Sequence, residues 1–141
     1  GAGTIGLSMA AGAKRLIGVE IVPQAVENAR KNAERMGVSN AEFICGDAAQ
    51  AAQTRQQRGL LPDVVVLDPP RKGCDEAVLR AAAQTNPVRI VYVSCNPATL
   101  ARDVARLRKL GYVLHKARPF DMFSWTGEVE TVALLEREKL D

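Results

Sequence analysis

Val64-Val65-Val66-Leu67-Asp68-Pro69-Pro70 decides how the chain folds. Four consecutive apolar residues carry no two-residue alternation, so both faces of this strand are expected to be buried. An inner strand of a parallel sheet, covered by helices on both sides, meets that demand. Pro69 and Pro70 end it, because no helix or inner strand continues through them.

Working back from this strand, a polar, Gln-rich segment from Ala48 to Arg58 reads as a weakly specified helix. Ala41 to Cys45 reads as a strand, with Asp47 just beyond it. Before that, Pro23 opens a helix whose apolar positions Val22, Val26, Ala29, Ala33 and Met36 recur every three or four residues, and Gly37 can end it. Leu16-Ile17-Gly18-Val19 is a short strand that ends at Glu20, and Thr4 to Ala11 is a short helix stopping near Gly12. Working forward, Asp75 is placed to cap a helix from Glu76 to Gln84. Arg89 to Ser94 is the next strand, followed by Asn96 as a helix cap and Pro97 at the first helical position. That helix runs to Leu110 and stops at Gly111. Tyr112 to Lys116 and Val129 to Leu135 then read as two strands with no helix between them. The alternation predicts a doubly wound α/β fold, mostly parallel, with an antiparallel pair at one edge.

The 141 residues suit one domain, 47% of them apolar and a quarter charged, as in an ordinary globular protein. No apolar run approaches the roughly 18 residues of a membrane span, and a cytoplasmic protein is the expectation. The three cysteines have neither metal-type nor paired spacing, so reduced thiols and no metal centre are expected. A net charge of +3 permits a nucleic-acid partner without demanding one. Arg102, Arg106, Arg108 and Lys109 share one helix and read as a solvated face.

Gly1-Ala2-Gly3-Thr4-Ile5-Gly6 is a glycine-rich loop with no strand ahead of it, although such loops join a strand to a helix. The expectation is that residues 1–141 are the catalytic portion of a longer protein whose first strand lies outside them. A parallel sheet without that central strand leaves two hydrogen-bonding edges open, so the piece alone should bind a cofactor weakly.

In open α/β sheets ligands bind beyond the carboxyl ends of the strands, and the polar residues cluster at such ends here. Gly1 and Gly3 let the backbone approach a ligand closely. Glu20 follows at the spacing where an acid takes ribose hydroxyls, and Asp47 is placed to accept from an adenine amino group. This set suits a nicotinamide dinucleotide and S-adenosylmethionine equally. Asp68-Pro69-Pro70-Arg71-Lys72-Gly73 is more specific, since two prolines stiffen the loop that carries the Asp68 carboxylate and the Arg71 guanidinium. Such a loop would hold a flat polar base beside a methyl donor, so Asp68 counts toward both. In Ser94-Cys95-Asn96-Pro97-Ala98-Thr99, Cys95 falls between a strand end and a helix start, the setting that favours a nucleophilic thiolate. Cys45, inside a strand, and Cys74, in a polar loop, lack it.

These three motifs, in this order, resemble the RNA uracil-C5 methyltransferase family, which includes bacterial 23S ribosomal RNA and transfer RNA enzymes. The likeness covers nearly the whole chain. Asp121-Met122-Phe123-Ser124-Trp125-Thr126-Gly127-Glu128-Val129-Glu130-Thr131 resembles the family's closing motif, which ends in a catalytic glutamate, by position Glu130. Proline is usual where Ser124 stands, and histidine where Glu128 stands. The resemblance implies S-adenosylmethionine as cofactor, structured RNA as partner with 23S ribosomal RNA ahead of transfer RNA, and an N-terminal RNA-binding portion beyond this chain. It implies that Cys95 adds to C6 of a uracil lifted from its stack, and that Glu130 removes the C5 proton. His115 reads as structural, and Trp125 either stacks on a base or packs on the core. The competing expectations are a cytosine-C5 methyltransferase, a nicotinamide-dependent oxidoreductase and a binding module that has lost catalysis.

Overall fold

The computed structural model describes residues 3–122 and 129–139. In chain order these form α1 (Thr4–Met9) with a following 3-10 turn (Ala10–Gly12), β1 (Leu16–Glu20), α2 (Pro23–Arg35), β2 (Ala41–Cys45), α3 (Ala48–Gln57), β3 (Val64–Leu67), α4 (Glu76–Gln84), β4 (Arg89–Ser94), α5 (Pro97–Lys109), β5 (Tyr112–Phe120) and β6 (Glu130–Arg137). The α/β alternation expected from the sequence is present. The chain packs as two compact units, residues 1–51 and 52–141, with the division falling inside α3.

In the first unit β1 and β2 pair in parallel, from Leu16 opposite Ala41 to Glu20 opposite Cys45. The apolar stripe of α2 explains the packing: Val26, Ala29 and Ala33 are buried against Leu7 and Phe43. Pro23 occupies the start of α2, where its missing N–H costs nothing. Asn40 ties the 3-10 turn down by donating to the carbonyls of Ala10 and Ala13, both at 2.8 Å. α3 buries no residue, which accounts for its weak signature in the sequence.

In the second unit four strands run in the order β3-β4-β6-β5. β3 and β4 are parallel, while β6 lies antiparallel to both β4 and β5. The antiparallel arrangement expected for the last two strands is therefore observed, with β6 inserted inside β5. Leu79, Ile90, Tyr92, Leu107, Tyr112 and Leu135 form the centre of its core. The last two strands differ in extent from the sequence expectation. β5 runs on to Phe120, and β6 starts at Glu130 and reaches Arg137. Pro119 is tolerated in β5 because an edge strand has N–H positions that pair with nothing. His115 is exposed at an irregular step in register between Leu114 and Lys116. Asp75 stands at the N-cap position of α4, but its side chain caps no N–H and lies 3.8 Å from the Lys72 ammonium instead. No described helix is long and apolar enough to cross a membrane.

Candidate active site

Each unit carries its polar residues at the carboxyl ends of its parallel strands. In the first unit Gly3 precedes α1 with φ of 80°, a left-handed conformation that favours glycine. A Cβ there would come within 3.0 Å of both Ala29 and Phe43, so a larger residue would push the loop off the core. Glu20 ends β1, and one carboxylate oxygen accepts the Val22 N–H at 3.0 Å. Asp47 follows β2, where its carboxylate accepts the Gln50 N–H at 2.9 Å and so starts α3. That contact gives Asp47 a structural task beside any ligand role. The Glu20 carbonyl accepts the Gly46 N–H at 3.0 Å, which links the β1 and β2 ends into one rim. Two carboxylates at neighbouring strand ends form an acceptor set suited to hydroxyl and amino groups. Gly1 lies outside the described residues.

The second unit is more fully determined. Asp68 follows β3 directly, and partial desolvation raises its pKa above the usual carboxylate value. Cys95 follows β4, the parallel neighbour of β3, and is half-buried. Ser94 and Asn96 shape this turn. The Ser94 hydroxyl donates to the Asn96 carbonyl and accepts from the Asn96 N–H, each at 3.0 Å. The Asn96 side chain then accepts from the N–H groups of Ala98 and Thr99, at 3.0 and 3.4 Å. The expected cap is present, and it presents Cys95 at the amino end of a 13-residue helix.

Glu130 joins the same rim by strand register. The last β4–β6 pair is Ser94 opposite Thr131, and Cys95 and Glu130 are each the next residue beyond that pair. On its other side Glu130 pairs with Phe120 of β5. Phe120 is exposed, and the Arg118 guanidinium lies 5.3 Å from its ring centroid. Residues two apart on a strand share a face, which explains that contact. Ser124, Trp125 and Glu128 fall outside the described residues, so the departures from the family pattern and the stacking role of Trp125 have no structural counterpart here.

The three thiols are distinct. Cys45 is exposed at the end of β2, its thiol 3.8 Å from the Ile21 carbonyl. Cys74 is buried rather than held in a polar loop, and desolvation pushes its thiol up to about 11. At neutral pH it is protonated and inert.

Sequence reasoning missed the residues that anchor the Asp68–Gly73 loop. Thr99 donates its hydroxyl to the Arg71 carbonyl at 3.1 Å, and Arg102 donates to the Lys72 carbonyl at 2.9 Å. Asp103, fully buried, accepts from the Cys74 N–H at 2.8 Å and from the Tyr92 hydroxyl at 2.5 Å. Arg102 and Arg106 donate to its other oxygen at 2.9 and 3.5 Å. Burial pushes this carboxyl up. The hydrogen bonds from Arg102, Tyr92 and Cys74 outweigh that and leave it below its usual range. Two of the four cations read as a solvated face thus hold an internal charge, while Arg108 and Lys109 are exposed. The signal was available, since Leu100, Asp103 and Leu107 recur at helical spacing on the buried face. Among the described residues there is no group of three or more histidine, cysteine or acidic side chains placed to hold a metal.

Comparison with known proteins gives a consistent result. The family model described as tRNA (uracil-5-)-methyltransferase matches residues 1–138. The chain is 48% identical over 137 residues to an uncharacterized RNA methyltransferase of Clostridium acetobutylicum, covering 97% of this chain and 30% of that protein. It is 50% identical over 136 residues to another from Halalkalibacterium halodurans, covering 96% and 30%. The chain therefore spans about 30% of the length of these curated relatives. Among solved structures it is similar to the Pyrococcus abyssi tRNA (uracil-54, C5)-methyltransferase in complex with S-adenosyl-L-homocysteine. That match has a TM-score of 0.80 and 34% identity, covering 96% of this chain and 32% of the other. A precorrin-6y C5,15-methyltransferase from Geobacter metallireducens has the same fold, with a TM-score of 0.75 at 16% identity, covering 97% and 76% of the two chains. The fold is the Rossmann-like α/β fold of the class I methyltransferases.

Proposed function

As the chain belongs to the tRNA (uracil-5-)-methyltransferase family, we propose that it is the catalytic part of an enzyme that methylates C5 of a uridine in RNA. The observation that carries this reading is the end of the β4–β6 ladder, where Ser94 pairs with Thr131, the residues next to Cys95 and Glu130. A nucleophile and a base on neighbouring strands are what the reaction requires.

S-adenosylmethionine supplies the methyl group as an electrophile. Gly3, Glu20 and Asp47 are proposed to hold its adenosyl part, with Gly1 from the same loop, and Asp68 is proposed to contact the donor as well as the base. The donor groups of a ribose and an adenine suit the two carboxylates, and the left-handed Gly3 leaves the backbone open to close approach.

Asp68 and Arg71 are proposed to hold the uracil ring by its polar edge. The Asp68 carboxylate can accept from the ring N–H, and the Arg71 guanidinium can donate to a ring carbonyl. Uracil C5 is too weak a nucleophile to be methylated directly. Addition of the Cys95 thiolate to C6 places electron density on C5 and the C4 carbonyl oxygen, so that C5 would take the methyl group as the donor's S–CH3 bond breaks and S-adenosylhomocysteine leaves. After methylation Glu130 takes the C5 proton. The C5–H electrons re-form the C5–C6 double bond, and the Cys95 sulfur leaves C6 with its bonding pair. The base must come out of its stack to reach Cys95. Both 23S ribosomal RNA and transfer RNA are substrates to offer, the former first.

The test is Cys95→Ala in the full-length protein. Methyl transfer to RNA should be lost, with S-adenosylmethionine affinity by calorimetry changed by no more than about twofold. Methylation that survives would falsify the mechanism. Nucleoside analysis of the wild-type product reads uracil against cytosine. Binding of NADH in place of S-adenosylmethionine would return the chain to the oxidoreductase reading.

A further inference from the structure

We propose that Asp103 is a positioning residue that clamps the Asp68–Gly73 loop against α5, so that Asp68 and Arg71 address the base. The inference rests on the uracil-methylation reading above for what the loop does, but the clamp itself stands on contacts within the second unit.

A fully buried carboxylate is costly unless it is paired and hydrogen-bonded, and an apolar residue would fill the same space at less cost. What the carboxylate adds is connection. One oxygen joins the Cys74 N–H, at the far end of the loop, to the Tyr92 hydroxyl on β4. Tyr92 stands three residues before Cys95 on the strand that presents the thiol. The other oxygen takes Arg102 and Arg106, which keep it charged and fixed on α5.

The loop is held at three successive points. The Arg71 carbonyl accepts from Thr99, the Lys72 carbonyl from Arg102, and the Cys74 N–H donates to Asp103. All three partners lie on α5, whose amino end follows Cys95. Gly73, between the last two points, has φ of 81°, and a Cβ on it would lie 2.5 Å from the Arg102 guanidinium and 2.6 Å from Asp103. The backbone fits against the clamp because that residue has no side chain. At the other end Pro69 and Pro70 stiffen the chain just after Asp68. With both ends restrained, the path of the loop is set by α5, and so is the position of its polar groups relative to the Cys95 turn.

The test uses Asp103→Asn and Gly73→Ala in the full-length protein. In each, amide hydrogen exchange across residues 71–74 should quicken by at least about tenfold, while core strands keep their protection. In each, kcat for RNA methylation should fall roughly 10- to 100-fold with S-adenosylmethionine affinity falling by less than about fivefold, because the loop is displaced while Gly3, Glu20 and Asp47 lie outside it and only Asp68 is shared. Tyr92→Phe removes one hydrogen bond from the same carboxylate, so it should give a smaller change in both readouts. Gly73→Ala keeps the Asp103 carboxylate intact, so it decides the matter if Asp103→Asn does not fold. Unchanged loop exchange in the folded variants would overturn the clamp. Quickened exchange with unchanged kcat would overturn the positioning role. If the wild-type protein methylates no uracil, the functional reading falls, and the exchange measurement, made without RNA, still decides the clamp.

Discussion

Ser94 and Thr131 face each other as the last paired residues of β4 and β6. Because the two strands are antiparallel, the step beyond this pair lays the chain leaving β4 beside the chain entering β6. Cys95 and Glu130 are each the next residue beyond that pair.

If Glu130 removes the C5 proton, Glu130→Gln should stall the reaction after methyl transfer. Turnover should fall roughly 10²- to 10⁴-fold. A protein–RNA adduct through Cys95 should then accumulate and survive denaturing electrophoresis. Near-normal turnover with free RNA would argue against the role. The double substitution with Cys95→Ala should show no adduct.

The Asn96 cap predicts a separate effect. Asn96→Ala leaves the Ala98 and Thr99 N–H groups without their side-chain acceptor. The expected loss is about 1 kcal/mol of stability by urea denaturation, with Asn96→Asp or Asn96→Ser recovering most of it. Since the same turn presents Cys95, alanine should also slow methyl transfer more than the stability loss alone explains. Equal activity of the alanine and aspartate variants would count against that link.

Stability should decline at both ends of the pH scale, for opposite reasons. The Asp103 carboxyl is held below its ordinary value of 3.8 when folded, so its contribution is present above that value and is lost as pH falls beneath it. The Cys74 thiol is raised from 9.0 to about 11, so its contribution is present below 9.0 and is lost as pH climbs through that interval. Denaturation midpoints measured across pH should show an acid limb that shrinks in Asp103→Asn and an alkaline limb that shrinks in Cys74→Ala. An alkaline limb of full size in Cys74→Ala would show that the thiol does not set it. Iodoacetamide at pH 8 should label Cys45 and Cys95 well before Cys74.

The elements were legible in the sequence because each is specified locally. The unbroken apolar run Val64–Leu67 marks a strand, although that strand ends the four-strand order with Val64 exposed and the other three half-buried, not the inner strand expected, and Pro23 and Asn96-Pro97 mark helix starts through their own backbone chemistry. The rim positions of Glu20, Asp47, Asp68 and Cys95 follow from those elements, since a residue after a parallel strand lies at its carboxyl end. Asp75 shows the limit of such reading. It has the right type and position for a cap, yet its carboxylate turns toward Lys72, a choice made by competing partners in space.

Tertiary structure alone decided three things. Strand order and register put β6 between β4 and β5 and paired Ser94 with Thr131, next to Cys95 and Glu130, a pairing between segments with no local signature of each other. Burial separated the three thiols, leaving Cys74 protonated in the core and Cys95 at a helix start. The Asp103 clamp depends on Tyr92, Cys74 and the arginines of α5 meeting at one point. The sequence by itself determined the elements and their polar ends, because backbone preference and hydrophobic period act over a few residues. Which ends face each other is a matter of long-range packing, where a contact's free energy depends on partners that the local pattern does not name.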